Sequence, residues 1–203
     1  MFIQVIQGRC SDETALRGHM DRWREDLAPG ADGWLGGTYG MTDDAMFVGV
    51  VRFASREAAA RNSMRPEQGE WWEAASQCFE GEVTFHDCDD AILMLDGGSD
   101  DAGFVQVIQG RVSDAAAFRA FMEQPMDGLH EARPELIGGT IAIDDDGFFT
   151  ETMAFSSESA AREGEQKEMP PEMAEEYGRA MEQVTDLRYL DLHHPWFATA
   201  MRR

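Results

Sequence analysis

The chain contains one sequence segment twice. Residues 2–12 read FIQVIQGRCSD and residues 104–114 read FVQVIQGRVSD, so nine of the eleven positions are identical at a constant offset of 102. A second match at the same offset joins LGGT at 35–38 to IGGT at 137–140. A period of about one hundred residues is the length of a whole small domain, far longer than the repeats of solenoid proteins. The chain is therefore predicted to contain two copies of one fold.

Each copy has the apolar and turn pattern of a strand–helix–strand–strand–helix–strand unit, which is the ferredoxin-like order. The predicted domains are residues 1–95 for the first repeat, 96–103 for the linker, and 104–203 for the second repeat with a C-terminal tail. Ser11 is predicted to cap the first helix, and Pro66 to interrupt the second helical region. The predicted strands are 2–9, 34–41, 46–53 and 82–86, then a short one at 91–95, and 104–111, 135–143, 147–155 and 187–192.

The predicted strands are apolar on both faces. In the first strand, Phe2 and Ile6 lie on one face while Ile3 and Val5 lie on the other. A sheet with two apolar faces must be covered on both sides. Two copies in one chain can cover each other by packing sheet against sheet. We therefore predict an α+β fold in which two ferredoxin-like repeats form an intramolecular pseudo-dimeric barrel, as a monomer or as a homodimer of such chains.

The net charge of the chain limits which classes of partner it is expected to bind. It has 17 basic and 39 acidic side chains, a formal net charge of -22. Such a surface repels phosphate backbones and anionic lipids, so neither nucleic acid nor membrane is expected as a partner. The three cysteines form no spaced pairs, which favours reduced thiols in a cytosol over a disulfide framework. The chain begins directly in a strand-like run, so a cytoplasmic location is expected.

Three repeated features resemble the dimeric α+β barrel superfamily. They are the F-x-Q-V-I-Q-G-R-x-S-D segment, the GGT in the middle of each copy, and the S-x-x-A-A-R that begins the second helix. The resemblance extends over nearly the whole chain and is to antibiotic-biosynthesis-monooxygenase-like members in a fused, two-copy form. It implies a ligand cavity between each sheet and its helices. It does not define one activity, because the superfamily includes oxygenases, haem-degrading enzymes, decarboxylases, isomerases and proteins with no known reaction.

The resemblance leaves three interpretations open. The first is a cofactor-independent monooxygenase-like enzyme that acts on a small, flat aromatic or polyketide-like compound. Such chemistry needs a pocket that excludes water, a base, and hydrogen-bond donors for the developing oxyanion. The second is a non-catalytic or stress-related module that binds a small hydrophobic ligand. The third is that core side chains fill one or both cavities.

Four polar residues repeat on the first strand of each copy and are candidates for substrate binding. Gln4 and Gln106 lie in phase with apolar positions, where a buried amide is costly unless it is hydrogen-bonded. Arg9 and Arg111 end the same strands. The alternative for the glutamines is that they connect strands, and the alternative for the arginines is a position facing solvent.

Two residues are candidates for catalytic bases, and both differ between the copies. His19 borders the apolar stripe of the first helix, where the second copy has Phe121. It is predicted to line a cavity with Gln4 and Trp72. Glu151 lies on a strand in phase with apolar residues, where the first copy has Gly49, and burial there would raise its pKa. The alternatives are a hydrogen-bonded histidine at the helix edge and a glutamate that reaches solvent.

The second helical region supplies the remaining candidates for substrate binding. Asn62, Trp71 and Trp72 match residue types that monooxygenase-like relatives use to orient a flat substrate, and Tyr177 is the candidate in the second copy. At an offset of 102, Trp71 and Trp72 have no aromatic counterparts. The alternative for the tryptophan pair is core packing.

No metal and no cofactor are predicted. Residues 86–90 contain ligand types, but consecutive residues of a strand point in opposite directions. Neither second helix contains a histidine, which is the haem ligand of the haem-degrading relatives. In the tail, Trp196 is predicted to be the anchor of a docking segment rather than part of a metal site with His193 and His194.

Overall fold

The structure is a computed structural model that describes residues 1–95, 97, 100–122, 129–168 and 171–199. Its residues form two compact units that differ in part from the two sequence repeats. The first unit contains Met1–Asp89 together with the segment from Trp196 onward, and the second contains Asp90–Pro195. No helix in these ranges is long and apolar enough to cross a membrane.

The first unit contains five strands and three helices. Helix α1 continues into a short π-helical turn and a 3₁₀ turn before the second strand. The elements are β1 (Phe2–Cys10), α1 (Glu13–Arg22), the π turn (Trp23–Leu27), the 3₁₀ turn (Ala28–Gly30), β2 (Trp34–Met41), β3 (Met46–Phe53), α2 (Arg56–Ser63), α3 (Pro66–Ser76), β4 (Phe79–Cys88) and, from the end of the chain, β10 (Trp196–Thr199).

The second unit repeats this order with a strand in front. Its described elements are β5 (Asp90–Met94), β6 (Phe104–Val112), α4 (Ala115–Met122), α5 (Leu129–Ala132), β7 (Leu136–Ile143), β8 (Phe148–Phe155), α6 (Glu158–Glu165), α7 (Pro171–Met181) and β9 (Val184–Leu192).

Each unit is built on one antiparallel sheet. The strand orders are β10-β2-β3-β1-β4 and β5-β7-β8-β6-β9. In both sheets the first strand of the repeat lies in the centre and pairs with the third and the fourth, which is the ferredoxin-like arrangement. The predicted α+β class with two ferredoxin-like repeats is confirmed. The packing of one sheet against the other stays a prediction.

The fifth strand of each sheet comes from the other sequence repeat than the remaining four strands. β5 follows the first repeat along the chain but pairs with β7, and β10 follows the second repeat but pairs with β2. The duplicated GG dipeptide makes room for these strands. A Cβ on Gly36 would lie 2.7 Å from the carbonyl oxygen of Ala198, and one on its counterpart Gly138 would meet the carbonyl oxygens of Gly97 and Leu95, which follow β5. The repeated glycines therefore serve strand packing.

One local prediction for the first unit was wrong. The N-cap of α1 is Asp12, whose carboxylate accepts a hydrogen bond of 2.9 Å from the amide of Ala15. The hydroxyl of Ser11 instead donates to the carbonyl of Cys78. The predicted interruption at Pro66 is present, because α2 ends at Ser63 and Pro66 begins α3, at the position where a missing N–H costs nothing.

Candidate functional site

The first unit contains a cavity between its sheet and its helices. Its volume is about 80 Å³, several times the 10–15 Å³ or so that one water molecule requires. β1, β2 and β3 contribute one wall, and α1, α2 and α3 with the π turn contribute the other. The lining residues are Gln4, Ile6, Leu16, Met20, Trp23, Tyr39, Phe47, Val51, Phe53, Ala59, Asn62, Ser63, Gln68, Trp71, Trp72 and Phe79.

Seven of the sixteen residues that line the cavity are aromatic. Tyr39 and Phe47 stack with ring centroids 6.3 Å apart, and Trp196 of β10 stacks on Tyr39 at 6.1 Å. On the helical side, Trp71 and Trp72 are neighbours at 6.0 Å. Flat rings arranged in this way favour a flat apolar ligand, because ring faces and edges attract one another beyond the burial of area.

The polar groups of the cavity converge on Gln68. Its Oε1 accepts hydrogen bonds from Trp23 Nε1 at 2.6 Å and from Asn62 Nδ2 at 3.3 Å. Asn62 in turn accepts from Arg65 Nη1 at 3.0 Å, and the same nitrogen donates to the carbonyl of Leu27. These bonds fix both amides and leave the Gln68 Nε2 group, which has no hydrogen-bond partner among the described residues, available as a donor.

The opposite wall carries Gln4 and Tyr39. Gln4 donates to Asp87 Oδ1 at 2.8 Å, so its amide is oriented and its Oε1 remains as an acceptor. Burial raises the pKa of the Tyr39 phenol, which therefore stays protonated at neutral pH. Tyr39 is the one titratable side chain among the described lining residues. The cavity thus offers neutral donors and acceptors rather than a charged base.

His19 does not line this cavity, so its predicted position was wrong. Its ring faces outward, and Nδ1 lies 3.1 Å from the guanidinium of Arg22. What His19 contributes to the cavity is its backbone carbonyl, which accepts a hydrogen bond of 2.8 Å from Trp71 Nε1. The helix turns the ring away because Leu16, Met20 and Trp23 supply the inward stripe.

The two arginines at the strand ends do not line the cavity of the first unit. Arg9 is exposed, and its side chain lies 3.6 Å from Glu80 and 3.4 Å from the carbonyl of Asp44. Arg111 is exposed and donates to the carbonyl of Asp146. Because both bind the turn between the second and third strands of their units, they serve to brace that hairpin.

Gln106 repeats the anchored geometry of Gln4 in the second unit. It is buried, and its Nε2 donates to Asp191 Oδ1 at 3.1 Å and to Glu165 Oε1 at 3.4 Å. In the first unit the corresponding acceptor is Asp87 alone. The Nε2 group of Gln106 is therefore engaged by two carboxylates.

Glu151 lies in the middle of the helix-facing side of the second sheet. The register places it opposite Ile141 on one side and Ile108 on the other, and Ile108 is opposite Tyr189. Residues directly opposite each other in an antiparallel sheet share a face. Both isoleucines are buried, and burial raises the pKa of Glu151 to about 7, while the Arg133 guanidinium acts in the other direction.

Tyr177 occupies the position of Trp72. Ser11 bonds to the carbonyl of Cys78 and Ser113 bonds to that of Gln183, so the end of α7 is offset from α3 by 105 residues rather than 102. This offset relates Pro171 to Pro66 as the first residue of each helix. The expectation that Trp72 has no aromatic counterpart was therefore wrong.

Sequence reasoning missed Gln68 and Tyr39. A signal for Gln68 was available: if Pro66 is taken as the first helical residue, then Gln68, Trp71, Trp72 and Ala75 follow at spacings that share one helix face. Tyr39 was predicted to lie on a strand, but nothing in the alternation of β2 indicated which of its faces meets the helices.

The described residues contain no group of three or more histidine, cysteine, aspartate or glutamate side chains placed to hold a metal ion. The ligand types at 86–90 are distributed along the end of β4, where Asp87 bonds to Gln4 and Asp89 bonds to Arg56. His193 lies 3.0 Å from Glu158 in the second unit.

Comparison with solved structures places this fold among known proteins. A candidate monooxygenase of Lactobacillus acidophilus matches with a TM-score of 0.71 at 14% identity, over 98% of this chain and 97% of its own. An anthrone oxidase-like protein matches with a TM-score of 0.68 at 9% identity, over 99% and 94%. A Listeria monocytogenes ferredoxin-fold protein related to antibiotic biosynthesis monooxygenases matches at 0.54 and 12% identity, over 95% and 94%.

The chain has the ferredoxin-like fold of these monooxygenase-like proteins. The match extends over both units in each case, as the resemblance of the repeats predicted. No protein-family model matches the sequence. No curated protein matches it either. At these identities the shared property is the fold.

Proposed function

We propose that this protein is a small-molecule enzyme of the cofactor-independent monooxygenase type, and that the cavity of the first unit is its substrate site. The observation that carries the proposal is the combination of aromatic walls with an oriented amide pair, Gln68 and Asn62. The substrate class is a flat aromatic or polyketide-like compound. The anthrone oxidase-like structural neighbour supports this class by analogy of fold.

The cavity suits a substrate that ionises by its own acidity. Tyr39 stays protonated, and the other described lining residues are neutral, so no charged base abstracts the proton. A phenol or an enolisable ketone with an extended ring system can lose that proton to a single water molecule bound beside it. The Gln68 amide would then donate to the resulting oxyanion, and oriented donors of this kind stabilise such charge.

The oxidation can be written without a cofactor for a substrate such as anthrone. Loss of a proton from the ring CH₂ gives a carbanion that is conjugated with the carbonyl. Dioxygen accepts electrons from this carbon and forms a hydroperoxide there after protonation. Loss of water from the hydroperoxide leaves a second carbonyl, so anthrone and O₂ give anthraquinone and water. The protein's part is to exclude bulk water, hold the ring and stabilise the anion.

Ligand entry requires the walls to move. The cavity of about 80 Å³ is smaller than an apolar cavity of about 150 Å³ that binds benzene. Met20 is the wall residue best suited to adapt, because an unbranched thioether side chain changes rotamer at low cost. Trp72 is half-buried at the cavity wall. These two residues are expected to set how many fused rings are accepted.

The test combines binding and oxygen uptake. Quenching of tryptophan fluorescence would be titrated with phenol, 1-naphthol and anthrone, and O₂ consumption would be followed with anthrone against a protein-free control. The blocking variant is Ser63→Trp, because Ser63 lines the cavity but is exposed and tolerates a large side chain. Its matched control is Ser159→Trp on α6, an exposed helical serine of the second unit.

The expected result is saturable quenching and protein-dependent formation of anthraquinone, both lost in Ser63→Trp and retained in Ser159→Trp. Absence of quenching by all three compounds would contradict the site itself. Quenching without oxygen uptake would favour the second candidate function, a module that binds a small hydrophobic ligand without turnover. The observation in favour of that alternative is the lack of a charged base among the described lining residues.

A further inference from the structure

Three neighbouring positions that hold no acidic group in the first unit hold one carboxyl and two phenols in the second. In the first unit they hold Gly49 on β3, Trp72 on α3 and Phe85 on β4. Trp72 and Phe85 contact each other with ring centroids 5.3 Å apart. The strand register and the helix ends place Glu151, Tyr177 and Tyr189 at these positions in the second unit. The three lie on different elements, so a single local change in sequence does not account for them.

The three side chains interact electrostatically. The pKa of the Tyr177 phenol is raised by its burial first, then by the charge of Glu151 and by Tyr189. Tyr177 therefore remains a hydrogen-bond donor at neutral pH. The Glu151 carboxylate forms no ion pair or hydrogen bond with any described residue, although its aliphatic stem lies between two buried isoleucines. A desolvated carboxylate without a partner is poised to accept a proton.

The cluster is accessible from solvent. Tyr189 is 57% exposed, and Glu151 and Tyr177 are partly exposed. The neighbouring guanidinium, Arg133, is held by Glu135, whose side chain also accepts a hydrogen bond of 2.8 Å from Lys167. Arg133 thus contributes positive potential without closing the carboxylate into an ion pair.

We propose that the Glu151–Tyr177–Tyr189 cluster is a second reaction site, which transfers protons on small carbonyl compounds that have an acidic α-hydrogen. Glu151 takes the α-proton from carbon. Tyr177 and Tyr189 donate hydrogen bonds to the carbonyl oxygen, on which the negative charge of the enolate develops. The carboxyl proton of Glu151 exchanges with solvent, and Glu151 then returns a proton to the same or a conjugated carbon. The electron pair of the C–H bond stays in the substrate, so no oxidant or reductant takes part.

This site is separate from the substrate cavity proposed for the first unit, because all of its residues belong to the second unit. Among the described residues, Arg133 is the charged group outside the cluster that interacts electrostatically with Glu151 and Tyr177. Since burial raises the pKa of Glu151 to about 7, the ionised base forms as the pH rises through neutrality. The rate of proton abstraction should rise with pH and level off above that value.

The experiment uses the full chain and 2-indanone, a flat ketone with acidic α-hydrogens. Exchange of these hydrogens for deuterium in D₂O is followed by proton NMR, after subtraction of the buffer rate at each pH. Glu151→Gln should lower the protein-dependent rate by about 100-fold or more, as expected for a general base. Tyr177→Phe should lower it by about 10-fold to 100-fold through loss of an oxyanion donor. Glu175→Gln, an exposed carboxyl on α7, is the matched control and should leave the rate unchanged.

Ser63→Trp separates this proposal from the function proposed for the first unit. It blocks that cavity and should leave the exchange rate unaltered. The proposal is overturned if wild-type protein catalyses no exchange, if Glu151→Gln exchanges at the wild-type rate, or if Ser63→Trp abolishes exchange. Should Glu151→Gln fail to fold, Tyr177→Phe and the pH profile of the wild-type rate carry the test, and a rate independent of pH between 5 and 9 overturns the proposal.

Discussion

At the level of single residues, the two units hold different side chains at one equivalent pair of cross-strand positions. In the first unit the large ring of Tyr39 lies beside Gly49, its partner in the ladder between β2 and β3. In the second unit the smaller Ile141 lies beside Glu151 in the equivalent ladder. The Tyr39 ring occupies space that a side chain at Gly49 would take, whereas Ile141 leaves room for the side chain of Glu151. The two residues of each pair therefore fit each other in size, and a substitution at only one of the two positions should destabilise the protein.

Gly49→Ala is expected to destabilise the protein by about 1–3 kcal/mol, the usual cost of overpacking. A Cβ at Gly49 would lie 3.1 Å from two ring atoms of Phe47 and 3.2 Å from Tyr39 Cδ1. The measurement is urea unfolding followed by tryptophan fluorescence. Gly69→Ala on α3 is the control, because a Cβ there meets nothing within 4 Å and should raise stability by about 0.5–1 kcal/mol. Equal effects of the two substitutions would refute the packing argument.

Glu151→Gln should change how stability depends on pH. Burial raises the pKa of Glu151 from the model-peptide value of 4.5 to about 7, so the folded state binds this proton more tightly than the unfolded state does. Its contribution is fully present below about pH 4.5 and is lost as pH rises toward 7. The variant cannot ionise, so at pH 8 it should be more stable than wild type by about 3 kcal/mol.

The check on this prediction is the free energy of unfolding of both proteins at pH 5 and pH 8. The advantage of Glu151→Gln should be small at the lower pH and grow at the higher one. A constant difference between the two proteins would mean that the carboxyl titrates in the same way in the folded and unfolded states.

Residue by residue, the sequence predicted the walls of the cavity better than its polar centre. Gln4, Asn62, Trp71 and Trp72 line the cavity as a group, because helix periodicity and strand alternation are local properties. The equivalence of Tyr177 and Trp72 was missed because additional residues between α6 and α7 shift the offset from 102 to 105. A loop insertion leaves no mark on the periodicity of the helix that follows it, so the ladder register was needed to detect it.

At the level of elements, β10 packs against the outer side of two aromatic residues that line the cavity of the first unit. Trp196 stacks on Tyr39 at 6.1 Å and lies 6.0 Å from Phe47, and the guanidinium of Arg17 lies 3.9 Å from its ring centroid. The strand pairs with β2 from Tyr39 back to Gly36. β10 therefore positions two residues of the cavity lining from outside, through ring stacking and a ladder.

Deletion of residues 196–203 is expected to weaken the first unit selectively. The loss of Trp196 alone should cost about 2 kcal/mol, since the ring is half-buried and large aromatic truncations in full cores cost about 3–5 kcal/mol. Hydrogen exchange measured by mass spectrometry should show lost protection in β2 and unchanged protection in β7, which pairs with β5 instead. Trp196→Phe, which keeps a ring for stacking, should preserve most of the protection. Uniform loss across both units would argue against a local role.

The exchange of β5 and β10 between the repeats could not be predicted from the sequence. Both are short strands, and alternation shows that a segment is a strand without showing which sheet receives it. The prediction of repeats at 1–95 and 104–203 followed the duplicated segments. The division into two compact units instead follows the pairing of the strands. The duplicated glycines were visible, but their meaning depends on the strand that packs against them.

At the level of the whole molecule, charge selects which form of a ligand can approach. With 39 acidic and 17 basic side chains, the surface repels anions. A phenol or ketone is expected to enter as the neutral molecule and to lose its proton inside. Both proposed sites fit this order of events, since one offers neutral amide donors and the other a carboxylate with a pKa of about 7.

The pairing of β5 and β10 with strands of the other repeat predicts how the first repeat behaves in isolation. A fragment of residues 1–95 keeps β5 but loses β7, its partner, and it keeps β2 but loses β10. It therefore exposes two unpaired strand edges, and such edges associate with other chains. We expect the fragment to be insoluble or to self-associate, as judged by sedimentation velocity and urea unfolding. Leu93→Lys places a charge on β5, where Leu93 is 44% exposed, and should reduce the association without restoring cooperative unfolding. A soluble fragment that unfolds cooperatively as a monomer would show that neither ladder is needed for the first repeat to fold.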